Sequence, residues 1–244
     1  MSVAAGARAG TPEPWSAEAL VERLRGLGAR YHHLHPFHVR MDAGELSRQE
    51  LQRWVANRFY YQRCIPLKDA AILSNCSEPE VRRVWIQRII DHDGTSAGAG
   101  GIESWLRLGE ALGITRDELE AERRVLPGVR YAVDAYVNFA RCKPWIEGVA
   151  SSLTELFGPD AIRVRLAALE AHYPWIDRAG LEYFRERLVQ APRDADHALG
   201  LVVERCVTRE QQDRAVTALR FKTEVLWAQL DAIERGATQP EAGA

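Results

Sequence analysis

Near the C-terminus, Val216, Leu219, Leu226, Leu230 and Ile233 recur at helical spacing and form one apolar stripe. Lys222 lies in the same stripe, three residues after Leu219 and four before Leu226. A lysine there either carries its head out to solvent or faces an internal anion or polar cavity. Leu51, Val55, Arg58 and Gln62 repeat the pattern, which makes Arg58 and Gln62 inward neighbours suited to carboxylate or carbonyl oxygen, or to a structural ion pair. Val129, Val133, Tyr136 and Ala140 share a face that turns the Tyr136 phenol inward, as a core residue or a functional one. Tyr183 and Arg187 stand one turn apart among Glu182, Arg185 and Glu186, a spacing that fits either a ligand pair or a solvated face.

Helical periodicity continues along the chain, whereas alternating β-branched runs are nearly absent. The pattern predicts helices over 16–29, 47–62, 66–75, 78–91, 101–112, 116–123, 128–142, 145–157, 160–171, 175–190, 194–207 and 209–235, some of them merging or bending. Four capping-box pairs mark starts: Ser47 with Glu50, Ser77 with Glu80, Thr115 with Glu118, and Thr208 with Gln211. Pro66 is expected to break or kink its apolar run. HDGTSAGAGG at 92–101 reads as a flexible connection, and Pro127–Gly128 and Gly158–Pro159 as boundaries. The expected architecture is all-α, a compact bundle of about seven principal helices. It forms one catalytic domain over 15–236, with flexible tails at 1–14 and 237–244.

A length of 244 residues fits one large domain. With 32 basic and 34 acidic residues the net charge is −2, so no broad field favours nucleic acid or an acidic membrane. No apolar run approaches the roughly 18 residues of a membrane span. Cys64, Cys76, Cys142 and Cys206 form no CxxC pair and follow no secretory leader, which predicts reduced structural thiols in a cytoplasmic protein. Dinucleotide, Walker A, HExxH, GxSxG and zinc-finger patterns are absent.

Histidines are the remaining candidate chemistry. His32, His33, His35 and His38 cluster ahead of the first long capped helix, and His92 sits between Asp91 and Asp93. Imidazoles there can move protons near neutral pH. A metal-dependent helical oxidase is the alternative, but its usual Glu-x-x-His pairs are missing. Asp194-x-x-His197 is a weak substitute, and His172 has no partner at that spacing.

Seven blocks carry a resemblance: YHHLHPFH at 31–38, WVANRFYYQRCIPLKDAAI at 54–72, IQRIIDHDG at 86–94, LPGVRYAVDAYVNFA at 126–140, SSLTELFGP at 151–159, HYPWIDRAGLEYFRERL at 172–188 and FKTEVLWAQLDA at 221–232. In order and over about residues 20–235, they resemble the pyrroloquinoline quinone synthase (PqqC) family. The resemblance implies a haem-oxygenase-like, thiaminase-like helical bundle, usually a homodimer. It also implies ring closure and eight-electron oxidation of a bicyclic polycarboxylate quinone precursor, with dioxygen as co-substrate, hydrogen peroxide released, and no metal or redox cofactor. A biosynthetic-pathway partner protein that delivers precursor or accepts product belongs to the same setting.

Carried over by position, His92 is implied as the proton-transfer group, with Tyr183 and Arg187 beside the quinone and oxygen and Lys222 opposite them. His32, Arg58, Gln62, Tyr136 and Arg165 are implied to line the substrate, and Lys68 to reach its acidic edge. Two features depart from the family. Ile162 replaces a usual active-site histidine, and TSAGAG at 95–100 is less polar than the usual stretch. Ile162 keeps a second reading open, a quinone-binding or carrier protein with an impaired catalytic cycle.

Overall fold

The computed structural model describes residues 12–236, and every regular element among them is helical. The α-helices are α1 (Ala17–Gly26), α2 (Pro36–Asp42), α3 (Arg48–Asn75), α4 (Pro79–Trp85), α5 (Gln87–Asp93), α6 (Gly101–Ala111), α7 (Arg116–Glu120), α8 (Pro127–Cys142), α9 (Trp145–Ser151), α10 (Gly158–His172), α11 (Glu182–Arg205) and α12 (Arg209–Arg235). Single 3-10 turns lie at Leu27–Arg30, His32–Leu34, Ser152–Leu156 and Arg178–Leu181. The all-α expectation therefore holds. Of the expected tails, residues 1–11 and 237–244 lie outside the described residues.

Three of the four expected capping boxes close. Ser47, Thr115 and Thr208 each accept from the backbone N–H three residues on, while Glu50, Glu118 and Gln211 accept in return from the cap N–H. The fourth does not. Pro79 takes the first position of α4, where a missing N–H costs nothing, so Glu78 is the cap and Ser77 falls one residue too early. Helix α2 was not expected. It starts on Pro36, and His35 Nδ1 accepts from the Phe37 N–H at 3.1 Å, a cap outside the usual Ser/Thr/Asp/Asn set.

Proline does not end either long helix. α3 runs unbroken through Pro66 and α11 through Pro192, where the sequence pattern predicted separate helices. The reason is tertiary: α3 packs on α8, α6, α5 and α9, and α11 on α10, α9 and α6, so burial on several sides outweighs one lost backbone bond.

The apolar interior forms two main clusters. One contains Trp54, Phe59, Trp105, Val137, Phe184 and Leu230, and the other Ile72, Trp85, Ala140, Val149, Ala198 and Leu219. Helices α3, α8, α11 and α12 each contribute to both, and several of their buried polar groups fall near the change from one to the other. Gln62, Lys68 and Asp69 lie before Ile72 in α3, Tyr136 before Ala140 in α8, Arg187 and Asp194 between Phe184 and Ala198 in α11, and Lys222 between Leu219 and Leu230 in α12. Four helices thus bring polar residues to one seam between apolar cores.

Helix α5 ends beside the seam because Gly94 and Gly100 adopt φ of 76° and 89°, a region closed to most side chains. Gly180 sets the entry to α11 differently, by close approach. A Cβ there would stand 2.5 Å from Ala111 Cβ and 3.4 Å from the Arg107 carbonyl, neither of which can swing aside. Gly180→Ala is therefore expected to lose about 1–3 kcal/mol of stability by overpacking, read as a lower thermal midpoint. An unchanged midpoint would show that the α6 contact yields freely.

Candidate active site

The seam encloses a cavity of about 790 Å³, part of it open to solvent. His32, Arg58, Gln62, His92, Arg165, Tyr183 and Arg187 line it, seven of the ten residues singled out from the sequence. Lys68 and Tyr136 line a smaller neighbouring chamber of about 320 Å³ instead. His92, Tyr61, Ile65, Thr154 and Glu155 face both spaces and so form the wall between them. Lys222 lines neither. Its Nζ donates to the Tyr61 hydroxyl at 2.8 Å and stands 3.4 Å from the Tyr136 ring centroid. It therefore reaches the larger cavity through Tyr61.

The cations differ in what compensates them. Arg187 is held by Glu155 at 2.7 Å and Asp194 at 3.4 Å. Burial opposes its charge, but Glu155, Tyr183 and Asp194 together hold its pKa above the usual guanidinium value. Arg165 grips Asp42 through two bonds, at 2.5 and 3.2 Å, and Lys68 pairs with Asp69 at 2.5 Å. Arg58 instead lies 4.1 Å from the Tyr61 ring centroid and donates to Gln229 Oε1 at 3.0 Å. Among the described residues neither Arg58 nor Lys222 forms an ion pair with a carboxylate. Burial, then Lys68 and Arg58, push the Lys222 pKa well below that of a free amine. Such a group takes up a proton readily once an anion arrives.

Backbone geometry fixes the tautomer of His92. Its Nδ1 lies 3.0 Å from the Arg88 carbonyl, one turn back in α5, and a carbonyl only accepts. Nδ1 therefore carries the hydrogen and Nε2 keeps its lone pair, buried and without a partner in the protein. Burial first, and Arg187 second, push its pKa down to about 4. His32 and His38 are held well below the usual imidazole value, by burial and then by Arg58 and Arg165 respectively. Tyr183 donates to Gln62 Oε1 at 3.0 Å, and burial raises its pKa, so it remains a phenol that joins α11 to α3.

Glu155 was missed from the sequence, although it both anchors Arg187 and lines the cavity. It lies in the 3-10 turn Ser152–Leu156, where no 3.6-residue stripe identifies the inward face. His33 and His38 belonged to the recognised histidine cluster without a role, and both line the cavity. Ile162 lines it too, presenting hydrocarbon where resemblance leads one to expect imidazole. Among the described residues no three or more His, Cys, Asp or Glu side chains gather as a metal-ligand set, and no helix is long and apolar enough to cross a membrane.

Comparison with known proteins places the chain in a family. The model of the TENA/THI-4/PQQC family matches residues 21–232. A pyrroloquinoline-quinone synthase of Pseudomonas aeruginosa is 60% identical over 210 residues, covering 86% of this chain and 84% of that one. A pyrroloquinoline-quinone synthase of Cronobacter sakazakii is 55% identical over 223 residues, covering 91% and 87%. In fold the chain is similar to a domain of unknown function with a haem-oxygenase-like fold from Shewanella denitrificans, with a TM-score of 0.77 at 12% identity over 94% of this chain and 97% of that one. A family match across nearly the whole helical region, joined to relatives of this identity and coverage, means that the chain belongs to the TENA/THI-4/PQQC family, on its pyrroloquinoline-quinone synthase branch.

Proposed function

We propose that this protein is a cofactor-independent oxidase that closes the last ring of a bicyclic polycarboxylate quinone precursor and oxidises it to pyrroloquinoline quinone. Dioxygen is the acceptor and hydrogen peroxide is released. The observation that carries this reading is the unpartnered Nε2 of His92 in a cavity that also presents Arg58 and, through Tyr61, Lys222, two basic groups without protein carboxylates. A substrate with several carboxylates supplies the missing counter-charge.

The chemistry follows from those groups. Ring closure needs an amine that has lost its proton, and oxidation needs protons removed from carbon as electrons leave; the His92 lone pair accepts them. The oxyanion that develops on the ring meets Tyr61, whose hydroxyl is polarised by Lys222, and the guanidinium of Arg58. An anionic ring is the better electron donor to dioxygen, so the substrate's own quinoid system performs the redox step. Burial keeps the phenols at Tyr183 and Tyr61 protonated, so they present neutral O–H groups to the ring. The reading includes a homodimer in the cytoplasm and a pathway partner protein for precursor or product.

Ile162 favours one alternative, a protein that binds the quinone without completing turnover. Both are tested by anaerobic mixing with the bicyclic precursor followed by oxygen. The oxidase gives a spectral change and then peroxide, in metal-free protein at an undiminished rate. Tight product binding with neither signal establishes the carrier instead. Ile162→His is expected to accelerate the later spectral stages by about tenfold, less than the roughly 100-fold or more of an optimally placed acid–base group, and to leave ring closure unchanged. Equal rates at every stage would show that this position bears on packing alone.

The pH dependence of stability has a definite sign. His92 titrates at about 4 in the fold and near the ordinary imidazole value of about 6.5 when unfolded, so on acidification the unfolded chain binds the proton first. Stability is intact above about 6.5 and is lost as pH falls toward 4, by about 3 kcal/mol from this group at the acid end. His32 and His38 act in the same direction. Thermal melts of the ligand-free protein across that window should slope downward toward acid, and His92→Gln should flatten them; a level profile would contradict the buried neutral imidazole.

A further inference from the structure

Behind His92 lies a polar arrangement that substrate binding does not use. Asp69 is completely buried in α3, and its two oxygens have different surroundings. Oδ1 accepts from Lys68 Nζ at 2.5 Å and from Trp85 Nε1 at 2.9 Å. Oδ2 has no partner in the protein. The neighbouring chamber is lined by both Asp69 and His92, the two of its lining residues that carry an unpartnered side-chain atom, Oδ2 and Nε2 respectively. Both atoms are acceptors, so they cannot bond to one another. A water has two O–H donors, and the space open to a water's centre in the chamber is about 20 Å³, enough for about one water, which needs roughly 10–15 Å³ on that measure.

We propose that in the ligand-free site this chamber holds an ordered water donating to Asp69 Oδ2 and His92 Nε2, and that Asp69 is a positioning residue that lets His92 pass on and recover protons while the site stays closed. The substrate's proton displaces the water's hydrogen from the Nε2 lone pair, so that Nε2–H then donates to the water. The inference rests on the oxidase reading above. Each two-electron stage releases two protons from the ring, whereas one imidazole nitrogen holds one. A buried base therefore needs a second place for the proton before it can act again.

The step balances as follows. A substrate C–H bond breaks, its electron pair stays on the ring, and the proton forms Nε2–H on His92. That proton moves to the chamber water while a proton of the water forms O–H on Asp69, which becomes a neutral acid; the water is regenerated. The ring passes two electrons to dioxygen. The stored proton retraces its path to His92, and with a second proton from the ring it completes hydrogen peroxide. Lys68, held on Oδ1, leaves Oδ2 as the oxygen free to meet the water.

Asp69→Asn tests this, because the amide oxygen can still accept from Lys68 and Trp85 while an N–H donor replaces the oxygen that takes the proton. With wild-type protein and the variant side by side, precursor affinity and the anaerobic spectral change should agree within about twofold. The oxygen-dependent stage should slow by about tenfold or more in the variant and lose its solvent isotope effect. A folded variant whose oxygen stage matches wild type in rate and isotope effect overturns the proposal while the oxidase reading stands. No spectral change in the wild type removes both. If the variant does not fold, a high-resolution crystal structure of the wild type decides: a water between Asp69 Oδ2 and His92 Nε2 supports the relay, and its absence overturns it.

Discussion

A charged group enclosed in hydrocarbon needs either a counter-charge or a way to shed its own charge, and the seam between the two apolar cores depends on how that requirement is met. Desolvating an unpaired ion costs several kcal/mol even after the protein relaxes. Arg187, Arg165 and Lys68 meet the cost with Glu155, Asp42 and Asp69. Lys222 has a hydroxyl and two aromatic faces, so it responds by losing proton affinity. Packing of α12 through Leu219, Leu226 and Leu230 keeps it there. An incoming polyanion restores the charge that burial suppresses. Binding and stability are thus linked at one residue, since a ligand that binds only the fold stabilises it.

The same economy of parts governs His92. Its tautomer is decided by the Arg88 carbonyl one turn earlier, a main-chain group that no side-chain substitution at position 88 removes. Arg88 in turn donates to the Asp194 carbonyl at 2.6 Å, which ties α5 to α11. Because Arg187 lies on α11 as well, the base and the cation that lowers its pKa are held by one pair of helices. Movement of either helix alters both geometry and basicity.

How much of this was legible in the sequence depends on the period that carried each residue. Lys222 and Tyr136 stand on α12 and α8, whose apolar stripes pointed inward while leaving solvent open for the lysine head and a plain core role open for the phenol, and the structure buries both almost completely. Glu155 stands on a 3-10 turn and carried no such signal. Asp69 was hidden by its neighbour: α3 is buried on several faces, so a single stripe does not describe it, and Lys68 and Asp69 are both interior although adjacent. Pro66 and Pro192 show the limit of local rules, since the lost backbone bond is a local effect and the packing that outweighs it is not. Lys222's position behind Tyr61 was likewise beyond periodicity, which gives a direction but not what stands in the way.

The unsatisfied atoms locate the function more sharply than the charges do. His32 Nδ1, His33 Nδ1, His38 Nε2, Trp54 Nε1 and His92 Nε2 are buried without a protein partner, and their residues all line the larger cavity; Asp69 Oδ2 belongs to the smaller. Only Arg53 and Gln229 among such residues line neither. Each orphaned polar atom costs about 1–3 kcal/mol if nothing answers it, and a folded domain keeps few. Their concentration at one seam therefore describes the missing partner: a molecule rich in both donors and acceptors, with water in the space it cannot reach. A simple polyanion would satisfy Arg58 and Lys222 but not the imidazole lone pairs, which require hydrogen-bond donors. The precursor amine provides donors as well as its carboxylates. On the proposed function, the imidazoles therefore face the precursor's amine and the basic groups its carboxylates.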